Sequence, residues 1–232
     1  MRSSRIFRPW VCAALLAGAG DAHAWPRSSV CYGTPESGRL EGGVSLPLAG
    51  VNYASHSALG WALGRAYVHS QVRSLLLATY ARLEQAAPAM TYVYGETGWG
   101  LGGRFPPHKT HQNGLSVDFM VPVTLDGRSV PLPTSLTNQF GYGIEFDDHG
   151  RWGPYRIDFE GIGEHLYQLS VEGGKQGVGI ARVIFEVPLQ RLLWQTRRGQ
   201  YLREHLKFST RRAWVRHDEH YHVDFVAQCR PL

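Results

Sequence analysis

The run His108-Lys109-Thr110-His111-Gln112-Asn113-Gly114-Leu115-Ser116-Val117-Asp118-Phe119 decides how this chain is read. Asn113-Gly114 is a strong turn signal, and the residues after it alternate in polarity. On an extended strand Ser116 and Asp118 share one face, while Leu115, Val117 and Phe119 take the other. The chain therefore doubles back after His111, and Asp118 can approach it. A carboxylate between Val117 and Phe119 needs a partner, because an unpaired charge is costly to bury. A second stretch, His217-Asp218-Glu219-His220-Tyr221-His222-Val223, alternates in the same way. It predicts a strand from His220 to about Ala227 with both imidazoles of His220 and His222 on one face.

A catalytic zinc ion asks for three protein ligands drawn from His, Asp or Glu, with one position left open. His111, Asp118 and His222 supply such a set, two from a local segment and the third from a distant strand. A structural zinc site is the alternative reading, but such sites usually take four protein ligands and favour Cys. The other histidines, His56, His69, His149, His165 and His205, are read as satisfied structural residues.

Around these two stretches helices and strands mix without regular βαβ alternation, which predicts an α+β fold. Apolar residues from Tyr67 to Glu84 recur at helical spacing, and Pro88 closes that helix. Met90 to Tyr94 reads as a strand, followed by a Gly-rich turn from Gly95 to Gly103. Leu115 to Val121 is a strand that exits at Pro122. Thr124 to Arg156 is an excursion of loops and short hairpins, long enough to be a lid or substrate wall. A helix over Gly163 to Glu172, a strand over Ala181 to Phe185 and a helix beginning at Leu189 to Trp194 follow. Residues 25 to about 60, rich in Gly, Ser and Pro, read as an irregular arm over the core.

The N-terminus carries Arg2, Arg5 and Arg8, then a short apolar run from Trp10 to Ala17, then Ala22-His23-Ala24. This is the pattern of a cleaved signal peptide over residues 1–24. The run is well short of the ~20 residues that span a bilayer, so no integral membrane segment is expected in the mature chain. Residues 25–232 are then one catalytic domain, periplasmic or secreted. Loss of Cys12 with that peptide leaves Cys31 and Cys229, which in an oxidising compartment read as a disulfide; two separate buried thiols are the alternative. A bridge joining the chain ends would contribute roughly 4–5 kcal/mol on the chain-entropy model. The formal net charge of +5 falls when the three leader arginines leave, and with 19% charged residues it does not argue for a nucleic-acid partner. Arginines at Arg197-Arg198, Arg211-Arg212 and Arg216 read as a solvated face, with an acidic wall polymer as the alternative.

Taken together, Gly102-Gly103-Arg104-Phe105, the His108 to Asp118 run and His217-Asp218-Glu219-His220-Tyr221-His222-Val223 resemble the penicillin-insensitive murein endopeptidase family. Those enzymes belong to the zinc peptidases acting on D-alanyl peptides, with a hedgehog-like α+β fold around a small antiparallel sheet flanked by helices. The resemblance runs, with gaps, from Tyr67 to Cys229. It implies one catalytic Zn2+ on His111, Asp118 and His222, with His220 as the active-site histidine beside the metal. It places His108 and His217 near the site and gives Arg104 the task of holding a substrate carboxylate, which suits a forked guanidinium. The family usually has Asp where this chain has Ser116, a change expected behind the metal rather than at it. Glu219 stands three residues before His222, where related carboxypeptidases and dipeptidases carry their catalytic glutamate.

The expected reaction is hydrolysis of peptide cross-links, of the D-alanyl-diaminopimelyl type, in peptidoglycan peptide stems. Either His220 or Glu219 would handle the proton. Strand alternation favours His220, since Glu219 nominally points away and has the plainer reading of a surface carboxylate beside an arginine. A D,D-carboxypeptidase, a non-catalytic peptidoglycan-binding protein and an effector aimed at a rival's wall are the alternatives. An open cleft past the metal would favour the endopeptidase, and a closed pocket at Arg104 the carboxypeptidase.

Overall fold

The computed structural model describes residues 28–134, 143–211, 213 and 215–232. The expected signal peptide, Cys12 and Arg212 lie outside the described residues.

Strands β1 (Val30–Thr34) and β2 (Ser37–Glu41) form a hairpin, and β3 (Val44–Ser45), β4 (Tyr53–Ser55) and helix α1 (Ala58–Ala62) follow. Next come β5 (Tyr67–Val68), α2 (Ser70–Ala86), β6 (Tyr92–Tyr94) and β7 (Ser116–Met120). The middle of the chain holds β8 (Val123–Leu125), β9 (Arg128–Val130), β10 (Arg151–Trp152) and β11 (Tyr155–Ile157). The last third holds α3 (Phe159–Gln176), β12 (Gly179–Ile184), α4 (Val187–Leu193), α5 (Gly199–His205) and β13 (His220–Val226). This is an α+β arrangement, as the sequence predicts.

The organising sheet has the order β12-β13-β7-β6-β4. It is antiparallel except for β4, which pairs parallel to β6, so the sheet is mixed rather than antiparallel throughout. The arm expected over residues 25–60 is thus not irregular. It supplies the hairpin and contributes β4 to this sheet. The hairpin strands pair locally, while β3 and β4 are held by pairing with β5 and β6 rather than by an apolar alternation of their own.

Period-two alternation gives the sheet two unlike faces. Val117 and Phe119 of β7, Tyr221, Val223 and Phe225 of β13 and Tyr92 and Tyr94 of β6 are buried in the core. Val72, Leu75, Leu76, Tyr80 and Leu83 of α2 and Ile162, Leu166 and Leu169 of α3 pack into the same core. The opposite face carries Ser116 and Asp118 on β7 and His220, His222 and Asp224 on β13. Their register sets His222 against Asp118 and Asp224 against Ser116.

Helix α2 begins three residues later than its periodicity suggests. Tyr67–Val68 pairs with β3, and His69 caps the helix by accepting from the Gln71 amide. Helix α3 runs beyond the expected Gly163 to Glu172 at both ends. The Asp158 side chain caps its first turn, and Gly177 ends it at φ 70°, a conformation that costs glycine little. Each cap of this kind is worth about 1 kcal/mol. A disulfide joins Cys31 to Cys229. It fastens hairpin β1–β2 to the C-terminal segment, where the Arg230 amide also donates to the Cys31 carbonyl. The hairpin turn in its turn receives the Gln112 amide on the Pro35 carbonyl, so it braces the 108–114 loop. No helix among the described residues is long and apolar enough to cross a membrane.

Candidate metal centre

The 108–114 loop brings its histidines back over β7. Gly114, at φ 77°, lies where a Cβ would come within 2.7 Å of the His69 amide, so only glycine fits this turn. His111 itself sits at φ 68°, a left-handed conformation disfavoured by roughly 1–2 kcal/mol for a residue bearing Cβ. It is held there by two contacts: its amide donates to Ser116 Oγ at 3.3 Å, and its Nδ1 bonds the Thr97 carbonyl at 3.0 Å. The carbonyl fixes Nδ1 as the protonated nitrogen and leaves Nε2 with a lone pair. That Nε2 is buried, 3.3 Å from Asp118 Oδ1, and has no well-formed hydrogen bond among the described residues. Backbone strain and an unpartnered buried nitrogen on one residue mark a place where function outweighs local stability.

His108, His111 and Asp118 form a buried group that can hold a metal ion, with one donor atom from each lying within 4.8 Å of the others. His108 Nδ1 is 3.6 Å from Asp118 Oδ2. His222 adjoins the group, its Nδ1 2.8 Å from Asp118 Oδ1 and its ring 4.9 Å from that of His111. The group that can hold a metal thus shares His111 and Asp118 with the set expected from sequence but has His108 as its third member, with His222 beside it. Donor chemistry of imidazole and carboxylate without thiolate suits a first-row divalent ion, zinc among them.

Charges here are strongly coupled. Burial opposes ionisation of Asp118, but His111, His222 and His220 outweigh it and hold the carboxyl well below its usual range. Burial likewise opposes protonation of His222, yet Asp224 and Asp118 on its two ring nitrogens push it up to about 10. Desolvation dominates at His108, which falls to about 3.

Beside the group lies a cleft of about 300 Å³ whose walls include Glu36, Lys109, Arg182, Val215, His217 and His220. His220 Nδ1 bonds Glu219 Oε1 at 3.1 Å. Burial works against its protonation, but the Glu219 charge and hydrogen bond raise its pKa above the ordinary value. Glu219 departs from both sequence readings. It does not point away from the site, and with its side chain 2% exposed it is no surface carboxylate. It lies just before β13, where strand alternation has not begun, and so can turn toward His220. His217 is nearby, its ring 4.6 Å from that of His220 and its Nδ1 3.0 Å from the Val215 carbonyl.

Arg104 is exposed and does not line this cleft. It lines a separate depression with Phe105, Pro106, Pro107 and Gln112, bordered by His108 and Lys109. Ser116 donates to Asp224 Oδ1 at 2.6 Å, and Asp224 in turn meets His222 Nε2.

No protein-family model matches the chain, and no curated protein matches it closely enough to lend it a function.

Three residues near the site were not singled out by sequence. Glu96, buried and paired with Arg65, lies 3.6 Å from His56 Nε2 and 3.9 Å from His108 Nε2. His56, grouped by sequence with the structural histidines, thereby belongs to the site's surroundings. Asp224 binds His222. Glu96 sits in the Gly-rich turn and His56 in the supposed arm, and neither shows a pattern. The alternation His220, His222, Asp224 was visible and could have identified the last.

Proposed function

We propose that this chain is a zinc-dependent peptidase that hydrolyses the peptide cross-links of bacterial peptidoglycan. The observation that carries the reading is the convergence of His111 Nε2, Asp118 and His222 Nδ1 beside a cleft that Asp118 and His222 line, with the His220–Glu219 pair alongside. A zinc ion bound by these three side chains would supply Lewis acidity, lowering the pKa of a water toward ~7 and polarising a carbonyl. Asp118 adds negative charge and the Thr97 carbonyl fixes the tautomer of His111. His220 carries the proton from the attacking water to the leaving amine. Glu219 acts through it, orienting the ring by the bond to Nδ1 and leaving Nε2 for proton transfer.

The hedgehog-like assignment is supported by a sheet with ligands on one face and helices on the other. A cleft lined by Asp118 and His222 together with Lys109, Arg182 and Glu36, and without Arg104, favours internal cleavage over removal of a terminal D-alanine. The disulfide suits the periplasmic or secreted setting in which that substrate is found.

The test is digestion of purified cross-linked peptidoglycan by the native protein and by His111→Ala, with products read by mass spectrometry. Dimeric stem peptides should fall to monomers with the native protein only, and chelator should stop the reaction. Loss of a single terminal alanine would replace this reading with a carboxypeptidase. Wall binding without any product would replace it with a binding protein.

A further inference from the structure

Asp224 sits on β13 two residues beyond His222, on the same strand face and opposite Ser116 of β7. Its side chain is buried, and both carboxylate oxygens are occupied. Oδ1 receives His222 Nε2 at 2.7 Å and Ser116 Oγ at 2.6 Å. Oδ2 receives Arg182 Nε at 3.0 Å and Arg182 Nη2 at 2.5 Å. Arg182 is itself tied at 3.0 Å to Glu36 in the hairpin turn that the disulfide fastens down. A carboxylate held by three side chains on three separate strands has no freedom to turn.

We propose that Asp224 is the positioning residue for His222, selecting Nδ1 as its metal-binding atom. The inference rests on the ligand assignment above. An imidazole can coordinate through either nitrogen, and an outer carboxylate on one leaves the other to the metal. Both ring nitrogens meet carboxylates, Nδ1 on Asp118 at 2.8 Å and Nε2 on Asp224 at 2.7 Å, but Asp118 Oδ1 also faces His111 Nε2, so a metal held by these three side chains reaches Nδ1 while Asp224 retains Nε2. The same contact fixes the ring plane about χ2, which strand alternation alone leaves free. Ser116 and Arg182 serve Asp224: Ser116 fixes one oxygen, and Arg182 offsets a second buried negative charge close to Asp118. Without Arg182, two carboxylates flanking one imidazole would repel each other in a site shielded from water.

The experiment measures zinc affinity by competition with a chromophoric chelator, using the full-length mature protein. Asp224→Asn should weaken zinc binding about 10- to 100-fold, the usual cost of removing the carboxylate partner of a metal-bound histidine. Arg182→Lys keeps the carboxylate and the positive charge, removes the forked grip on Oδ2 and leaves the contacts of His111 untouched; it should weaken zinc by about three- to tenfold. This second variant decides the matter if Asp224→Asn does not fold. Cobalt substituted for zinc should show an altered visible spectrum in Asp224→Asn, reporting a changed ligand field rather than a looser fold. Glu164→Gln is the control, since it removes a buried carboxylate from the opposite side of the sheet; its zinc affinity should match the native protein. Affinities within twofold of native in both Asp224→Asn and Arg182→Lys would overturn the positioning role while leaving the ligand set intact. Absence of zinc binding in the native protein, or equal binding by His111→Ala, would overturn the ligand set and this role together.

Discussion

His165 offers a measurement of how dry the helix-facing side of the sheet is. The ring is fully buried among Tyr80, Tyr92, Phe119 and Tyr221, with centroids 4.6 to 5.9 Å away. Its Nδ1 meets the Tyr221 hydroxyl at 2.6 Å, and among the described residues Nε2 has no hydrogen-bond partner. Burial lowers its pKa from the ordinary 6.5 to about 3. The sign follows directly. Below pH 6.5 the unfolded chain takes up a proton that the folded chain refuses, so stability falls as pH drops from 6.5 toward 3. Between these limits the slope approaches about 1.4 kcal/mol per pH unit, and the loss reaches about 2 kcal/mol at pH 5. The perturbation is His165→Asn, which keeps a polar atom near Nδ1 and does not titrate. Urea unfolding of both proteins at several pH values from 7.5 to 5 checks it. The variant is less stable at neutral pH, but the gap should narrow by about 2 kcal/mol at pH 5. A gap that stays constant with pH would show that His165 is protonated in the folded protein, and that the aromatic shell does not exclude water as the distances imply.

Two further outcomes follow from the site and the chain ends. Glu219→Gln should lower kcat by more than about tenfold with KM and bound zinc unchanged, because it loses the charge that holds His220 while keeping an acceptor for Nδ1; steady-state kinetics with metal analysis checks this, and unchanged kcat would free Glu219 from the mechanism. Replacing Cys31 and Cys229 by Ala opens a loop spanning 198 residues of sequence separation and should cost about 5 kcal/mol, read from urea unfolding against the native protein.

The two histidine stretches carried most of what could be known in advance. Their period-two alternation placed Asp118, His220 and His222 on one sheet face, because strand geometry leaves no other choice once Val117, Phe119, Tyr221 and Val223 must be buried. The Asn113-Gly114 turn brought His111 back over Asp118 for an equally local reason. Reading Cys12 as part of a signal peptide made Cys31 and Cys229 the expected partners, and the disulfide joins them. What tertiary structure decided has no sequence period. Glu219 precedes the strand, so alternation could not orient it, and only the packed neighbourhood of His220 turned it inward. Glu96 and His56 reach the site from segments without regular pattern. Arg104 was assigned to the cleft by analogy of sequence, and the path of the loop set it outside. Asp224 lay in plain view on β13, but its role depends on Ser116 and Arg182, which neighbouring strands deliver through register. Local periodicity tells which way a side chain faces, while the partners it meets there are set by distant chain segments, 108 residues away for Ser116 with Asp224 and 146 for Arg182 with Glu36.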